Sequence, residues 1–201
     1  MESNSLRLSQ SKLSSSWFRI LGLFPLAFFF AQANHYWRIN ELGHMLWMCN
    51  IGNLVLAIGL FLNNALLIRV AVIWMFPGLA VWLVYVALAW GMFFSSTLAH
   101  VGGMIVGLVA IRRVGMDQTA WRFALGWYLI VQFLSRLLTP ANLNVNVAHS
   151  VEEGWRQTFN AYWKFWVVLT VITALVLWLI GTALNRIWPS KIPSKLTPQP
   201  G

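Results

Sequence analysis

Cys49 and His100 are the two residues of this chain that could do chemistry together. An imidazole beside a thiol can take its proton and leave a thiolate, the nucleophile–base arrangement of covalent catalysis. Both residues lie within apolar runs that carry other polar side chains. His44, Cys49, Asn50 and Asn53 interrupt one run; Ser95, Ser96, Thr97 and His100 open another; Gln132, Ser135 and Arg136 close a third. Polar groups are costly in hydrocarbon, so residues of this kind face a protein interior or a cavity. A plainer reading stands beside the chemical one. A lone cysteine packs as a small hydrophobe, a buried histidine can simply bond a carbonyl, and Arg136 can snorkel to the interface. Asn142, Asn144 and Asn146 suit an ordinary polar loop.

The elements that position these residues are membrane helices. Of 201 residues, 59% are hydrophobic and 9% charged, against roughly 25% charged in a soluble domain. The runs 42–62, 65–88, 93–111, 121–138 and 165–184 are each close to the roughly 20 residues a crossing helix needs. A sixth run, 18–33, begins with Arg19 and ends in Ala31-Gln32-Ala33, which also fits a secretory signal. Its direct continuation into the next run favours an uncleaved helix. The expected fold is therefore all-α: a polytopic bundle of six transmembrane helices over 17–188. Serine-rich residues 1–16 and proline-rich residues 189–201 are expected to form disordered cytoplasmic tails.

Charge orients this bundle. With a cytoplasmic N-terminus, Arg7, Lys12, Arg19, Arg69, Arg112, Arg113, Arg122, Arg186, Lys191 and Lys195 fall on the cytoplasmic side. Arg38, Arg136, Arg156 and Lys164 fall at or near the other side, which is the positive-inside pattern. The net charge of +9 is thus explained by topology, with both termini cytoplasmic and no nucleic-acid partner implied. The partners implied are membrane lipids.

Helical rise places Cys49 and His100 at about one depth, roughly 10 Å in from the non-cytoplasmic ends of their spans. His44, Ser96, Arg136 and Asn142 fall in the same layer, with Asn50 and Asn53 deeper. A polar pocket open to the outer half of the membrane is the expected result. Cys49 and Asn53 share a helix face, as do Ser96, His100, Gly103 and Gly107, whose two glycines let a neighbouring helix approach. Pro77-Gly78 is expected to kink the third span, and Ser150 to Glu153 matches a capping box that would start the last helix. The tryptophans suit interfacial positions. Two histidines could in principle ligate a haem axially, but His44 and His100 differ in depth by about 6 to 9 Å. The five acids lie outside the spans and leave few metal ligands, so no metal or cofactor is expected.

Leu46-Trp47-Met48-Cys49-Asn50, Leu98-Ala99-His100-Val101-Gly102 and the stretch from Leu137 through Asn144 resemble the YwaF-like integral membrane proteins, six-helix bundles of bacteria. They are also distantly similar to the eukaryotic acyltransferases of ether phospholipids. The resemblance covers roughly residues 42–143. It implies a bacterial cytoplasmic membrane and a lipid acyltransferase or acyl hydrolase working through an acyl thioester. Cys49 would be the nucleophile and His100 the base, with Asn50, Asn53 and Arg136 orienting carbonyl or phosphate oxygens and His44, Ser96 and Asn142 lining the site. Trp47 and Ala99 depart from the family's pattern, which often has His or Gln and Ser there. The alternative is a non-enzymatic membrane protein: a binder, a transporter or an assembly factor.

Overall fold

A computed structural model describes residues 2–89 and 93–190, with side chains at 16–88 and 93–190. Among the described residues the chain forms six helices: α1 (Glu2–Arg38), α2 (Met48–Phe61), α3 (Ala65–Ala89), α4 (Phe94–Val114), α5 (Ala120–Leu138) and α6 (Tyr162–Ile187). Four stretches have the length and apolarity to cross a membrane: Ser16–Arg38, Ala65–Leu88, Phe94–Val114 and Tyr162–Ile187. This is the architecture of an all-α, multi-pass membrane protein. The α1 backbone is helical from Glu2, where composition predicts an irregular tail. Leu, Gln, Arg and Lys in that stretch are adequate helix formers that can extend the span. Of the expected tail at 189–201, Pro189 and Ser190 pair with Met116, whose carbonyl accepts the Ser190 N–H at 2.9 Å, and 191–201 lie outside the described residues.

α3 is the central helix. Ile68 and every residue of 70–75 are buried, and a helix that is apolar on all sides belongs inside a bundle. It packs against α2, α4, α5 and α6, while α1 lies on α2 and α4. It also runs through Pro77-Gly78 as one helix. Gly107 of α4 sits against Val72 and Met75 of α3, and Gly103 against Asn53 of α2. The two small residues thus permit the close approach that their spacing predicts.

Two apolar runs depart from regular α geometry, and both departures bear on the site. The run 42–62 is not one helix. A 3-10 turn, Leu42–Leu46, ends at an extended Trp47 (φ −54°, ψ 136°), and α2 starts afresh at Met48. Within α4, residues Leu98–Gly102 form a π turn. The last helix begins at Tyr162 rather than at the Ser150 capping box, and Glu153–Trp155 makes only a 3-10 turn. Asn144 prevails there. Its left-handed backbone (φ 42°) lets Oδ1 accept the N–H groups of both His149 and Ser150 at 3.0 Å, so Ser150 belongs to the loop.

The loop between α4 and α5 ties the opposite end together. Gly115 takes φ +69° where a side chain would strike Pro189, and Arg69 Nε donates to its carbonyl at 2.8 Å. Asp117 accepts the Thr119 N–H at 2.8 Å and its hydroxyl at 2.5 Å. Burial opposes ionisation of Asp117, but these bonds and the Arg69 charge outweigh it and hold the carboxyl below its ordinary value of 3.8. A depressed carboxylate stabilises the fold above its unfolded pKa and loses that contribution as pH falls through the folded one. Asp117→Asn is therefore expected to melt below wild type near neutral pH, with the gap closing on acidification beneath pH 3.8. Thermal melts across the acid range check this.

Candidate functional site

The polar layer forms several hydrogen-bonded networks rather than one cluster, and most of its amides are committed to irregular backbone. At the Trp47 break, Asn146 reaches across from the loop after α5. Its Nδ2 donates to Leu46 O at 2.7 Å and its Oδ1 accepts Met48 N–H at 3.1 Å, so one amide satisfies both sides of the break. Asn146 Nδ2 also donates to Ser135 Oγ at 2.8 Å. Asn50 Nδ2 closes the preceding turn through His44 O at 2.9 Å. Gln32 of α1 links Asn50 to Ser95, accepting the serine hydroxyl at 2.8 Å. Backbone groups without partners in hydrocarbon cost several kcal/mol each, so a broken helix at this depth requires such side chains.

Asn53 does the same work at the π turn. Its Nδ2 donates at 2.9 Å both to Cys49 O in its own helix and to Ala99 O in α4. A π turn alters the regular i→i−4 ladder, and such bulges cluster at functional sites. Asn53 Oδ1 has no conventional donor among the described residues. It occupies the position where a Cβ on Gly103 would stand, so only glycine admits the amide there.

These two devices set Cys49 and His100 on one face of α3. Cys49 is in the first turn of α2, with its Cβ against Gly78. The His100 ring stacks on Trp82, 5.2 Å between centroids and 13° from parallel. Gly78 and Trp82 are one turn apart, about 6 Å by helical rise. Ser96 fixes the ring: its carbonyl is 2.8 Å from His100 Nδ1, and its hydroxyl accepts the Trp82 indole N–H at 2.8 Å. A carbonyl can only accept, so Nδ1 carries the proton and Nε2 holds the lone pair. No hydrogen bond joins Cys49 to His100, and the thiol is free.

The other expected site residues are elsewhere. His44 Nδ1 accepts from Trp47 at 2.9 Å and Nε2 pairs with Glu41 at 3.1 Å, so both ring nitrogens are taken and neither faces His100. Asn142 is exposed and makes no side-chain hydrogen bond among the described residues. Arg136 donates to Ala148 O at 2.8 Å and lies over the Tyr162 ring, 5.2 Å from its centroid. It belongs to a groove between α5 and α6 that includes neither Cys49 nor His100.

Four contributors are not evident from the sequence. Asn146 looks like a loop residue, yet it is only 6% exposed. Trp82 and Trp74 are buried rather than interfacial, each with its indole N–H bonded. Gln32 is 1% exposed, and its one signal is a polar type within an apolar run. No protein-family model matches the chain, and no curated protein or solved structure is significantly similar to it.

Proposed function

We propose that this chain crosses a bacterial cytoplasmic membrane six times, with both termini cytoplasmic, and carries out acyl transfer or acyl hydrolysis on a membrane lipid. Cys49 is the nucleophile and His100 the general base in this reading. The observation that carries it is the placement of both residues on adjacent turns of one α3 face, with His100 Nε2 the nitrogen left for a thiol proton. Catalytic hydrogen bonds are often long before substrate binds, so the unmade Cys49–His100 bond is compatible with it. The resemblance of the Cys49 and His100 segments to YwaF-like proteins points the same way. In the reaction the thiolate attacks the acyl carbonyl, forming a thioester and expelling the lipid alkoxide, which takes the proton from His100. A second lipid hydroxyl, or water, then attacks the thioester and regenerates the thiol.

One observation favours a second, non-enzymatic reading. Asn50 and Asn53, which would orient a substrate, are engaged with backbone carbonyls. In that case the layer only shapes the bundle of a lipid-binding, transporting or assembly protein. A clickable acyl donor in reconstituted membranes separates the two. The enzyme reading expects hydroxylamine-sensitive label on wild type, none on Cys49→Ala, and label formed at least about a hundredfold more slowly on His100→Ala, within the usual range for a lost general base. Lipid turnover unchanged in both variants would end the enzyme reading.

A further inference from the structure

We propose that the groove between α5 and α6 binds an anionic membrane phospholipid, with its phosphate on Arg136. The groove holds about 430 Å³ and is lined by Gln132, Phe133, Arg136, Tyr162, Trp163 and Trp166 among others. A guanidinium offers five N–H donors in a fixed fork that matches phosphate. Arg136 spends one on Ala148 O, and no carboxylate pairs with it among the described residues. A cation set beside Phe133 and Trp166 without an internal counter-ion is completed by an external anion.

The arginine is also held in place, unlike one that merely extends toward water. Ala148 O accepts from both Arg136 at 2.8 Å and Tyr162 Oη at 2.7 Å, and the guanidinium carbon lies 5.2 Å from the centroid of the Tyr162 ring. Trp166 Nε1 donates to Gln132 Oε1 at 2.8 Å, bracing the wall across the two helices.

The occupant follows from the two ends of the groove. At one end is the charged fork beside Tyr162 and Trp163, ring types that settle at headgroup level. At the other, Leu129, Phe133 and Trp166 make an apolar wall, with Phe133 62% exposed. A soluble phosphate would meet only the first end. A phospholipid meets both, its acyl chain lying along the wall.

The test is native mass spectrometry of the full chain in detergent, titrated with phosphatidylglycerol or phosphatidylcholine. Wild type is expected to retain phosphatidylglycerol about tenfold better, and Arg136→Gln to lose about that factor, as for a charge-assisted hydrogen bond. Trp163 is 64% exposed and its indole N–H makes no hydrogen bond among the described residues, so Trp163→Ala should weaken retention several-fold at an unchanged melting temperature. Arg122→Gln, at the other end of α5, should leave retention unchanged. Equal phosphatidylglycerol retention by wild type and a folded Arg136→Gln overturns the site. If Arg136→Gln does not fold, unchanged retention by Trp163→Ala overturns it instead. Displacement of the lipid by inorganic phosphate would overturn the phospholipid as occupant.

Discussion

Asn146→Ala is expected to destabilise the protein by about 3 to 5 kcal/mol, more than any other single change in the loop after α5. The substitution orphans Leu46 O and Met48 N–H at once, and it removes the donor to Ser135 Oγ, which keeps its own bond to Val131 O. Leaving a buried polar group unsatisfied costs about 1 to 3 kcal/mol. Side-chain hydrogen bonds between membrane helices average less, about 0.6 kcal/mol, but here the partners are backbone groups at a helix break. A second cost is conformational: Asn146 holds φ 52°, which asparagine tolerates better than alanine. Asn146→Gly relieves that strain while losing the same bonds, so it should recover about 1 kcal/mol. Asn142→Ala, at an exposed position in the same loop, should stay within about 0.5 kcal/mol of wild type. Denaturant titration in mixed micelles, followed by tryptophan fluorescence, reads all three.

Gly103→Ala carries the second large effect, about 2 kcal/mol, because overpacking a buried contact costs roughly 1 to 3 kcal/mol. The new methyl would occupy the space of Asn53 Oδ1. The amide must then rotate away, releasing Cys49 O and Ala99 O together. Asn53→Ala loses the same two bonds directly and should cost about as much. The two penalties share a mechanism, so they should not add. The double variant is expected to fall about 1 kcal/mol short of the sum, the signature of residues in contact. Full additivity would mean that Gly103 and Asn53 act on different parts of the structure. The pair also bears on the proposed chemistry: if Asn53 places the π turn, Gly103→Ala should slow thioester formation by displacing the Asn53 amide, the group its new methyl meets.

The sequence is informative about the helices and less so about their interruptions. Long apolar runs and their basic flanks locate α1, α3, α4, α5 and the apolar core of α6, because burial in a bundle is recorded residue by residue. The layer holding Asn50, Asn53, Ser96 and His100 is equally visible, since each is a polar type in an apolar run. What local sequence does not record is the break at Trp47. No proline or glycine stands at Leu46-Trp47-Met48, and the amide that makes the break tolerable belongs to Asn146, nearly a hundred residues on. The π turn around His100 has the same origin: its stray carbonyl is met by Asn53 on another helix. Ser150 shows the converse, a good local capping signal overridden by the Asn144 side chain. The layer read as a pocket is in large part a set of clamps, because the backbone's own unsatisfied groups compete for the same amides that a substrate would use.

Hydrogen exchange at the Met48 amide tests these clamps most directly. Met48 N–H is bonded to Asn146 Oδ1 rather than to backbone, so its protection reports that one contact. In lipid nanodiscs, wild type should protect Met48 about as well as the following residues of α2. Asn146→Gly should lose that protection at Met48 while the amides of α3 keep theirs. Unchanged exchange at Met48 in a folded Asn146→Gly variant would contradict the role assigned to the amide, and with it the clamp that sets Cys49 against α3.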